Sequence, residues 1–400
     1  MRPKKEKIKQ EESALSSRVI KEEKRVELPK LEERVEGRDK EQRVRRRKVT
    51  WGVDNVQALA GRVGSDIPER YIRPERQNEY AHSNSSSDGC AGVGSIPIID
   101  YNKLTDPNFS DEEAAKLHSA CQEWGFFQVV NHGVPGDILY KMKQDTEGFF
   151  KLPLEEKESV AQLPGHLEGY GQAFVLSEKQ KLDWGDMLFI GTLPSHIRQT
   201  RFWPTNSHSF SETIDKYSTE VKRVSDILFR KISENLGLGQ GKLYEMFDDG
   251  ILALRFNYYP PCPRPEEVLG ISPHSDGNGL TLLLQVSDFP GLQIRRKGRW
   301  FTVEVIPGAF VCNVGDIVEI LSNGRYKSVE HRAVVSERNE RISVAAFRTL
   351  NVGDTVGPIS ELVQGEEVLY KTLPFEEYLK MLTGSKLEGR SNIDRMKMDA

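Results

Sequence analysis

The sequence predicts an α+β fold in which helices pack against an antiparallel β sandwich or barrel. Three observations carry that prediction. Helical periodicity with marked ends occupies much of residues 110 to 237, short strands separated by turn residues take over from about residue 251, and no internal repeat divides the strand-rich stretch.

Residues 1 to 50 hold 18 Lys or Arg against 11 Asp or Glu and include the basic block "RVRRRK" at 43 to 48. A segment this poor in apolar side chains cannot offset its ordering entropy, so a disordered charged arm is expected. The remaining residues carry a net charge of −11, so the charge asymmetry lies between arm and body. The basic block reads more simply as a solvated run than as a nuclear-import or RNA-binding patch. Its acidic neighbours do not suit an organelle transit peptide.

Residues 51 to 95 read as a helix and linker: "NVQALAGRVGSDIPERYIRP" (55–74) is a short helix entering a Pro-punctuated extension, and "HSNSSSDGCAGVGS" (82–95) is Gly/Ser-rich. The folded body starts at "IPIIDY" (96–101), a short strand that opens an N-terminal helical and strand part over 96–210. In "SDEEAAKLHSACQEWG", Ser110 is the expected N-cap, an acidic first turn and a 3.6-residue apolar rhythm follow, and Gly125 ends the helix. "FFQVVNHGV" follows as a strand, then a helix near 136–150 and a long amphipathic helix over 213–237. Within the part spanning 211–385, "ALRFNYY", "LTLLLQV", "LQIRRK", "RWFTVEV", "AFVCNVG", "YKSVEHRAVV" and "RISVAAFRTL" are the predicted strands, and 386–400 is a tail.

The four cysteines, Cys90, Cys121, Cys262 and Cys312, form no CxxC pair, which gives neither a disulfide framework nor a thiolate zinc site and suggests a reducing compartment. No run of eighteen apolar residues exists, and the first thirty residues are charged throughout, so neither a membrane span nor a signal peptide is expected. A cytoplasmic protein is expected, with a nuclear location left open, and the glycosylation patterns at Asn84 and Asn108 read as chance. A monomer acting on a small molecule, with no membrane or nucleic-acid partner, is the corresponding expectation.

In "ISPHSDGNGLTLLLQ" (271–285), His274 and Asp276 stand at i and i+2, and on a strand such residues share a face. His331 in "SVEHRAVV" offers a third ligand from another strand. Two histidines and one carboxylate form the ligand set of non-heme Fe(II) oxygenases, which leaves coordination positions open, whereas structural zinc sites are closed. The HxD spacing taken alone is also what a surface accident produces. Two further i, i+2 pairs weigh against accident: Arg341 with Ser343 in "ERISVAAF", and Asn257 with Tyr259 in "RFNYYPPCP". A guanidinium and a hydroxyl grip a carboxylate through charge-assisted hydrogen bonds, so a buried Arg341 asks for a dicarboxylate ligand or a fixed acidic partner. Surface pairing of Arg341 with Glu330 or Glu340 is the bland alternative.

"WGFFQVVNHGV", "NYYPPCPRPE", "PHSDGNGLTLLLQ", "NVGD", "VEHRAVV" and "ERISVAAF" together resemble the plant family of 2-oxoglutarate- and Fe(II)-dependent dioxygenases, over residues 96 to about 385. "FFKLPLEEK" and "GYGQAFVLSEKQKLDWGDMLFI" look most like its senescence-related and norcoclaurine-synthase-like branch, which includes alkaloid O-demethylases. The resemblance implies a double-stranded β-helix, or jelly roll, flanked by helices. It implies metal ligands at His274, Asp276 and His331, cosubstrate contacts at Arg341, Ser343, Tyr259 and Asn257, and a substrate pocket touching Tyr170, Arg255 and Phe347. It implies that His132 is structural. The cofactors it implies are Fe(II), 2-oxoglutarate and O2, with ascorbate as reductant, and the products succinate and CO2. The substrate it implies is a small aromatic specialised metabolite (an alkaloid, flavonoid or indole) that is hydroxylated or O-demethylated. A flavonoid oxidase or desaturase, a hormone-oxidising member, an oxidase of the same fold that does not use 2-oxoglutarate, and a catalytically silent ligand-binding protein are the competing expectations.

Overall fold

A computed structural model describes residues 55–62, 64, 66–76, 95–163, 166–172, 175, 177, 179–204, 208–239, 241–384 and 389–398. The expected arm over 1–50, nearly all of the Gly/Ser linker and Asn84 lie outside these residues. The described strands, in chain order, are β1 (Ile98–Asp100), β2 (Phe126–Val130), β3 (Gly169–Gly171), β4 (Asp186–Leu193), β5 (Leu252–Tyr259), β6 (Ile271–His274), β7 (Leu280–Gln285), β8 (Leu292–Arg296), β9 (Arg299–Thr302), β10 (Phe310–Val314), β11 (His331–Ala333), β12 (Arg341–Arg348), β13 (Thr355–Val356) and β14 (Leu373–Pro374).

Strict alternation along the central strands gives one large sheet two different faces. Leu252, Leu254 and Phe256 of β5, Leu280, Leu282 and Leu284 of β7, and Ile342, Val344 and Ala346 of β12 point to one side and are buried in the main core. The long helix His208–Asn235 covers that side, presenting Ile214, Tyr217, Val221, Val224, Leu228 and Ile232 at helical spacing. Each such fully buried side chain contributes about 1.5–3 kcal/mol by leaving water. Arg348, the last residue of β12, also faces the helix, where it is satisfied by Asp226 at 2.9 Å, Ser225 at 2.9 Å and the Phe247 carbonyl at 2.6 Å. The opposite face of the same strands carries Arg255, Asn257, Tyr259, Arg341 and Ser343, and a second sheet closes over it.

The large sheet has the order β1-β2-β10-β7-β12-β5-β4-β3 and the second β6-β11-β8-β9. All pairings in them are antiparallel except β1 with β2. This pair of facing sheets backed by helices is the jelly roll that the sequence resemblance implies. Helices and strands are less segregated along the chain than the sequence suggests, because β1, β2, β3 and β4 from the N-terminal half form both edges of the large sheet. Among the described residues no helix is long and apolar enough to cross a membrane.

Two local expectations need correction. Ser110 is the first helical residue rather than the cap, and its hydroxyl donates to the Leu104 carbonyl at 3.0 Å, which ties the helix Ser110–Glu123 to the preceding turn. Gly125 does end that helix: its φ of +61° suits glycine, and a Cβ there would lie 2.2 Å from the Lys327 carbonyl oxygen. The second correction concerns the HxD stretch. Strand β6 stops at His274, Asp276 lies in the turn that follows, and the leucines beyond it belong to β7 in the other sheet.

The chain before the first strand is docked, not loose, where it is described. Asn55 caps the short helix Val56–Ala60, and the buried carboxylate of Asp186 at the start of β4 accepts from Val56 N at 2.9 Å, Gln57 N at 2.8 Å and the Asn55 side chain at 2.9 Å. A second buried carboxyl, Glu168, accepts only from Gly191 N at 2.9 Å, and its other oxygen has no hydrogen-bond partner among the described residues. Burial pushes the Glu168 pKa up to about 7. Its folded value exceeds its unfolded one, so its contribution to stability is present below the unfolded pKa of about 4.3 and is lost as pH rises through about 7. Thermal unfolding of the wild type is therefore expected to shift to lower temperature between pH 5 and pH 8, and Glu168→Gln should flatten that dependence. A scanning calorimetry series giving parallel pH profiles for the two proteins would contradict this.

Candidate metal centre

Strand β5 presents Arg255, Asn257 and Tyr259 to the interior between the sheets, and its neighbour β12 presents Arg341, Ser343, Ala345 and Phe347. The antiparallel register sets Arg341 opposite Tyr259, Ser343 opposite Asn257 and Ala345 opposite Arg255. These pairs line one cavity of about 60 Å³ together with His274, Asp276 and His331. All seven residues expected to bind metal or cosubstrate thus meet in one place.

His274 and His331 face each other across the β6–β11 ladder, with ring centroids 4.3 Å apart. Asp276 Oδ1 lies 3.5 Å from His274 Nε2 and 3.6 Å from His331 Nε2. Adjacent donors about 2.1 Å from one ion sit about 3 Å apart, so a small contraction would close this trio on a single metal. Among the described residues it is the one group of three or more His, Cys, Asp or Glu able to do so.

The surroundings prepare each donor. His274 Nδ1 lies 2.8 Å from the Ser272 carbonyl and His331 Nδ1 lies 3.1 Å from that of Val329, so both Nδ1 atoms carry the proton and both Nε2 lone pairs are free. Burial, reinforced by the neighbouring His274, pulls the His331 pKa down to about 4, which keeps the ring neutral at pH 7. Asp276 Oδ2 is occupied by the Thr281 hydroxyl at 2.6 Å and the Asn313 amide at 2.8 Å, leaving Oδ1 for a metal. Burial alone would raise the Asp276 pKa, but the facing imidazoles, whenever they carry a proton on Nε2, and the Thr281 hydrogen bond outweigh it and hold the carboxyl well below the usual range. The donor set, two neutral imidazoles and one carboxylate with no thiolate, fits Fe(II) with coordination positions left over.

Arg341 is only 2% exposed, and among the described residues it has no acidic partner. Both bland partners are engaged elsewhere: Glu330 pairs with Arg295 at 2.9 Å, and Glu340 accepts from the Tyr258 hydroxyl at 2.8 Å. Arg341 Nη1 instead donates to Ser343 Oγ at 3.3 Å, its guanidinium lies 5.4 Å from the Tyr259 ring centre, and Nε has no partner. Burial disfavours its charged form and lowers its pKa, the expected response of a cation that awaits an anion. Gly291 makes room for it, since a Cβ there would meet Arg341 Cδ at 2.7 Å.

Arg255 and Phe347 also line the cavity, whereas Tyr170 does not. Tyr170 pairs with Leu188 of β4, whose side chain points to the helix-covered face, so its ring packs with Phe149 and its hydroxyl contacts the Asn55 amide. His132 is remote from the trio: it is buried against Phe310, its Nε2 lies 2.8 Å from the Gly308 carbonyl, and its Nδ1 accepts from Val134 N. Thr281 and Asn313 are the site residues that sequence reasoning missed. The available signal was one polar side chain at an inward position of each of two leucine- and valine-rich strands, which register directly opposite each other.

Comparison with known proteins bears on this geometry. Residues 96–206 match the family described as non-haem dioxygenase in morphine synthesis N-terminal, and residues 250–350 match the 2OG-Fe(II) oxygenase superfamily. S-norcoclaurine synthase 1 of Coptis japonica is 46% identical over 86% of this chain and 96% of its own length. An oxoglutarate-dependent flavonoid 7-O-demethylase 1 of Ocimum basilicum is 42% identical over 86% of this chain and 91% of its own. The crystal structure of JOX2 in complex with 2OG, Fe and JA superposes with a TM-score of 0.78 at 37% identity, covering 87% of this chain and 98% of that one. On fold and sequence alike, the chain belongs to the 2-oxoglutarate- and Fe(II)-dependent dioxygenase family.

Proposed function

We propose that this enzyme couples oxidative decarboxylation of 2-oxoglutarate to the hydroxylation or O-demethylation of a small aromatic metabolite, with O2 as oxidant and ascorbate keeping the metal reduced. The observation that carries the reading is the buried Arg341, without an acidic partner among the described residues, in one cavity with the His274, Asp276 and His331 trio. In this reading His274 Nε2, His331 Nε2 and Asp276 Oδ1 bind one Fe(II). The bound iron supplies the oxidising chemistry that converts 2-oxoglutarate to succinate and CO2 and oxidises a substrate C–H bond.

The chain's own part is binding, orientation and exclusion of water. Arg341 forks onto the distal carboxylate of 2-oxoglutarate, Ser343 adds a hydroxyl donor, and the Tyr259 and Asn257 side chains bound the same carboxylate and its chain. Thr281 and Asn313 keep Asp276 from rotating both oxygens toward the metal. Phe126, Leu283 and Val311 line the remaining wall and keep it apolar, which strengthens the electrostatic contacts inside. A larger cavity of about 540 Å³ adjoins this one through Arg255 and Tyr259 and offers the volume for a substrate. Oxidation of an O-methyl carbon there would give a hemiacetal that collapses to formaldehyde and a free hydroxyl.

A second reading, in which the substrate is an anionic hormone-like acid, is favoured by one side chain. Arg255 sits where the two cavities meet, has no ion-pair partner among the described residues, and leaves its Nε without a hydrogen bond. A half-buried guanidinium in that position would suit a substrate carboxylate or phenolate.

His331→Ala and Asp276→Ala are expected to cut substrate-dependent succinate formation by at least about a hundredfold while leaving the far-UV circular dichroism unchanged; retention of turnover would remove them from the metal site, and a wild type that forms no succinate with any substrate would favour the silent-binder alternative. Arg341→Met should raise the KM for 2-oxoglutarate about ten- to a hundredfold, since a charge-assisted hydrogen-bond pair is lost, and an unchanged KM would remove Arg341 from the cosubstrate site. Screening neutral aromatic metabolites beside aromatic and alicyclic carboxylic acids, with wild type and Arg255→Leu, separates the two substrate readings. Turnover of acids that disappears in the variant selects the second, and turnover of neutral compounds that survives it selects the first.

A further inference from the structure

Strand β6 delivers His274 from an edge position in the architecture. It is the edge strand of the smaller sheet, its only partner in that sheet is the three-residue β11, and the ladder between them shifts register between His331 and Ala333. An edge strand with one short, irregular partner is a poor platform for a metal ligand unless something holds its free side. Three segments distant in sequence do so. Gly389 closes one end, donating from N to the Pro273 carbonyl at 2.8 Å and accepting from Ser275 N at 3.1 Å. At the other end Ser272 is gripped by a closed ring of hydrogen bonds: Ser272 Oγ donates to Asp183 Oδ1 at 2.6 Å, and Arg73 Nη2 donates to Asp183 Oδ1 at 2.8 Å and to Ser272 Oγ at 2.7 Å.

We infer that Arg73, from the segment preceding the first strand, is a positioning residue for the metal centre and acts through Ser272 on His274. The link is short. The Ser272 carbonyl is the acceptor that fixes the His274 Nδ1 proton at 2.8 Å, so whatever sets the orientation of residue 272 sets the direction of His274 Nε2. Arg73 is itself anchored, its backbone N donating to the Glu267 carbonyl at 2.7 Å, and its side chain is only 11% exposed. Neighbouring Arg70 accepts through its carbonyl from Leu182 N at 2.8 Å, which seats the segment beside Asp183. Arg73, Asp183 and Ser272 line the larger cavity and not the smaller one, so Arg73 braces the centre from the side of the proposed substrate cavity without touching the cosubstrate site. Residue 73 lies outside both stretches matched by the family, 96–206 and 250–350, and family membership alone therefore assigns it no role.

This inference rests on the metal reading proposed above, and its sign is diagnostic. A guanidinium acting on a nearby cation only through its charge opposes binding, so its removal would tighten the metal. A bracing guanidinium does the opposite. The test is calorimetric titration of Co(II), and separately of 2-oxoglutarate at saturating Co(II), into the full chain and its Arg73→Met, Arg73→Lys and Ser272→Ala variants. Arg73→Met and Ser272→Ala should each weaken Co(II) about tenfold or more, with far-UV circular dichroism and metal-free melting unchanged. Arg73→Lys, which can still donate to Asp183, should recover part of the loss. With metal saturating, 2-oxoglutarate affinity should stay within about twofold of wild type. Should Arg73→Met fail to fold, Ser272→Ala decides the matter alone. Wild-type Co(II) affinity in the folded variants, or tighter binding, overturns the inference while leaving the metal reading intact, whereas a wild type that binds no Co(II) overturns both.

Discussion

Asp276 is the point where two sheets have to agree. It stands in the turn that carries the chain from β6 in the small sheet to β7 in the large one, and its two oxygens are claimed from different directions. Oδ2 is fixed by Thr281 and Asn313 on the large sheet, and Oδ1 faces the imidazoles carried by the small sheet. A carboxylate divided in this way cannot satisfy both sets of partners unless the sheets keep their spacing. The site is therefore a property of how the jelly roll closes rather than of any one loop.

The second constraint is an uncompensated charge. A guanidinium as buried as Arg341 is costly, and the fold stabilises it only with a hydroxyl, an aromatic face and a glycine that clears its path. Such an arrangement makes sense when the missing anion arrives with a ligand. The contrast with Arg348 on the same strand is instructive: seven residues on and facing the helices, it meets a carboxylate, a hydroxyl and a carbonyl of its own chain. One strand thus carries a self-satisfied arginine on one face and, on the other, the arginine proposed to meet the cosubstrate, separated by the parity of position.

That parity explains what could be read from the residues. Where strands are long and regular, as β5 and β12 are, i and i+2 share a face, and the Arg341/Ser343 and Asn257/Tyr259 pairs come together as expected. His274 and Asp276 come together for a different reason than the one expected, because the strand ends between them and the turn, not the pleat, returns the carboxylate to the imidazole. Tyr170, which the resemblance alone puts in the substrate pocket, turns to the helices instead, because β3 pairs it with Leu188 on the helix-covered face. Thr281, Asn313 and Arg73 were not singled out because each acts through a partner distant in sequence, Asp276 for the first two and Asp183 for the last. Strand register and segment docking decide those encounters, and a single sequence does not encode them legibly.

In the proposed reading one cavity joins a metal at His274, Asp276 and His331 to a carboxylate anchor at Arg341, so the two ends of a five-carbon keto diacid are held at once. Equilibrium binding of oxaloacetate, 2-oxoglutarate and 2-oxoadipate to the wild-type protein, with and without Mn(II), probes both ends together. 2-Oxoglutarate is expected to bind tightest, the shorter and longer homologues to be weaker, and removal of the metal to weaken all three. Affinity indifferent to chain length, or unaffected by the metal, would contradict that reading.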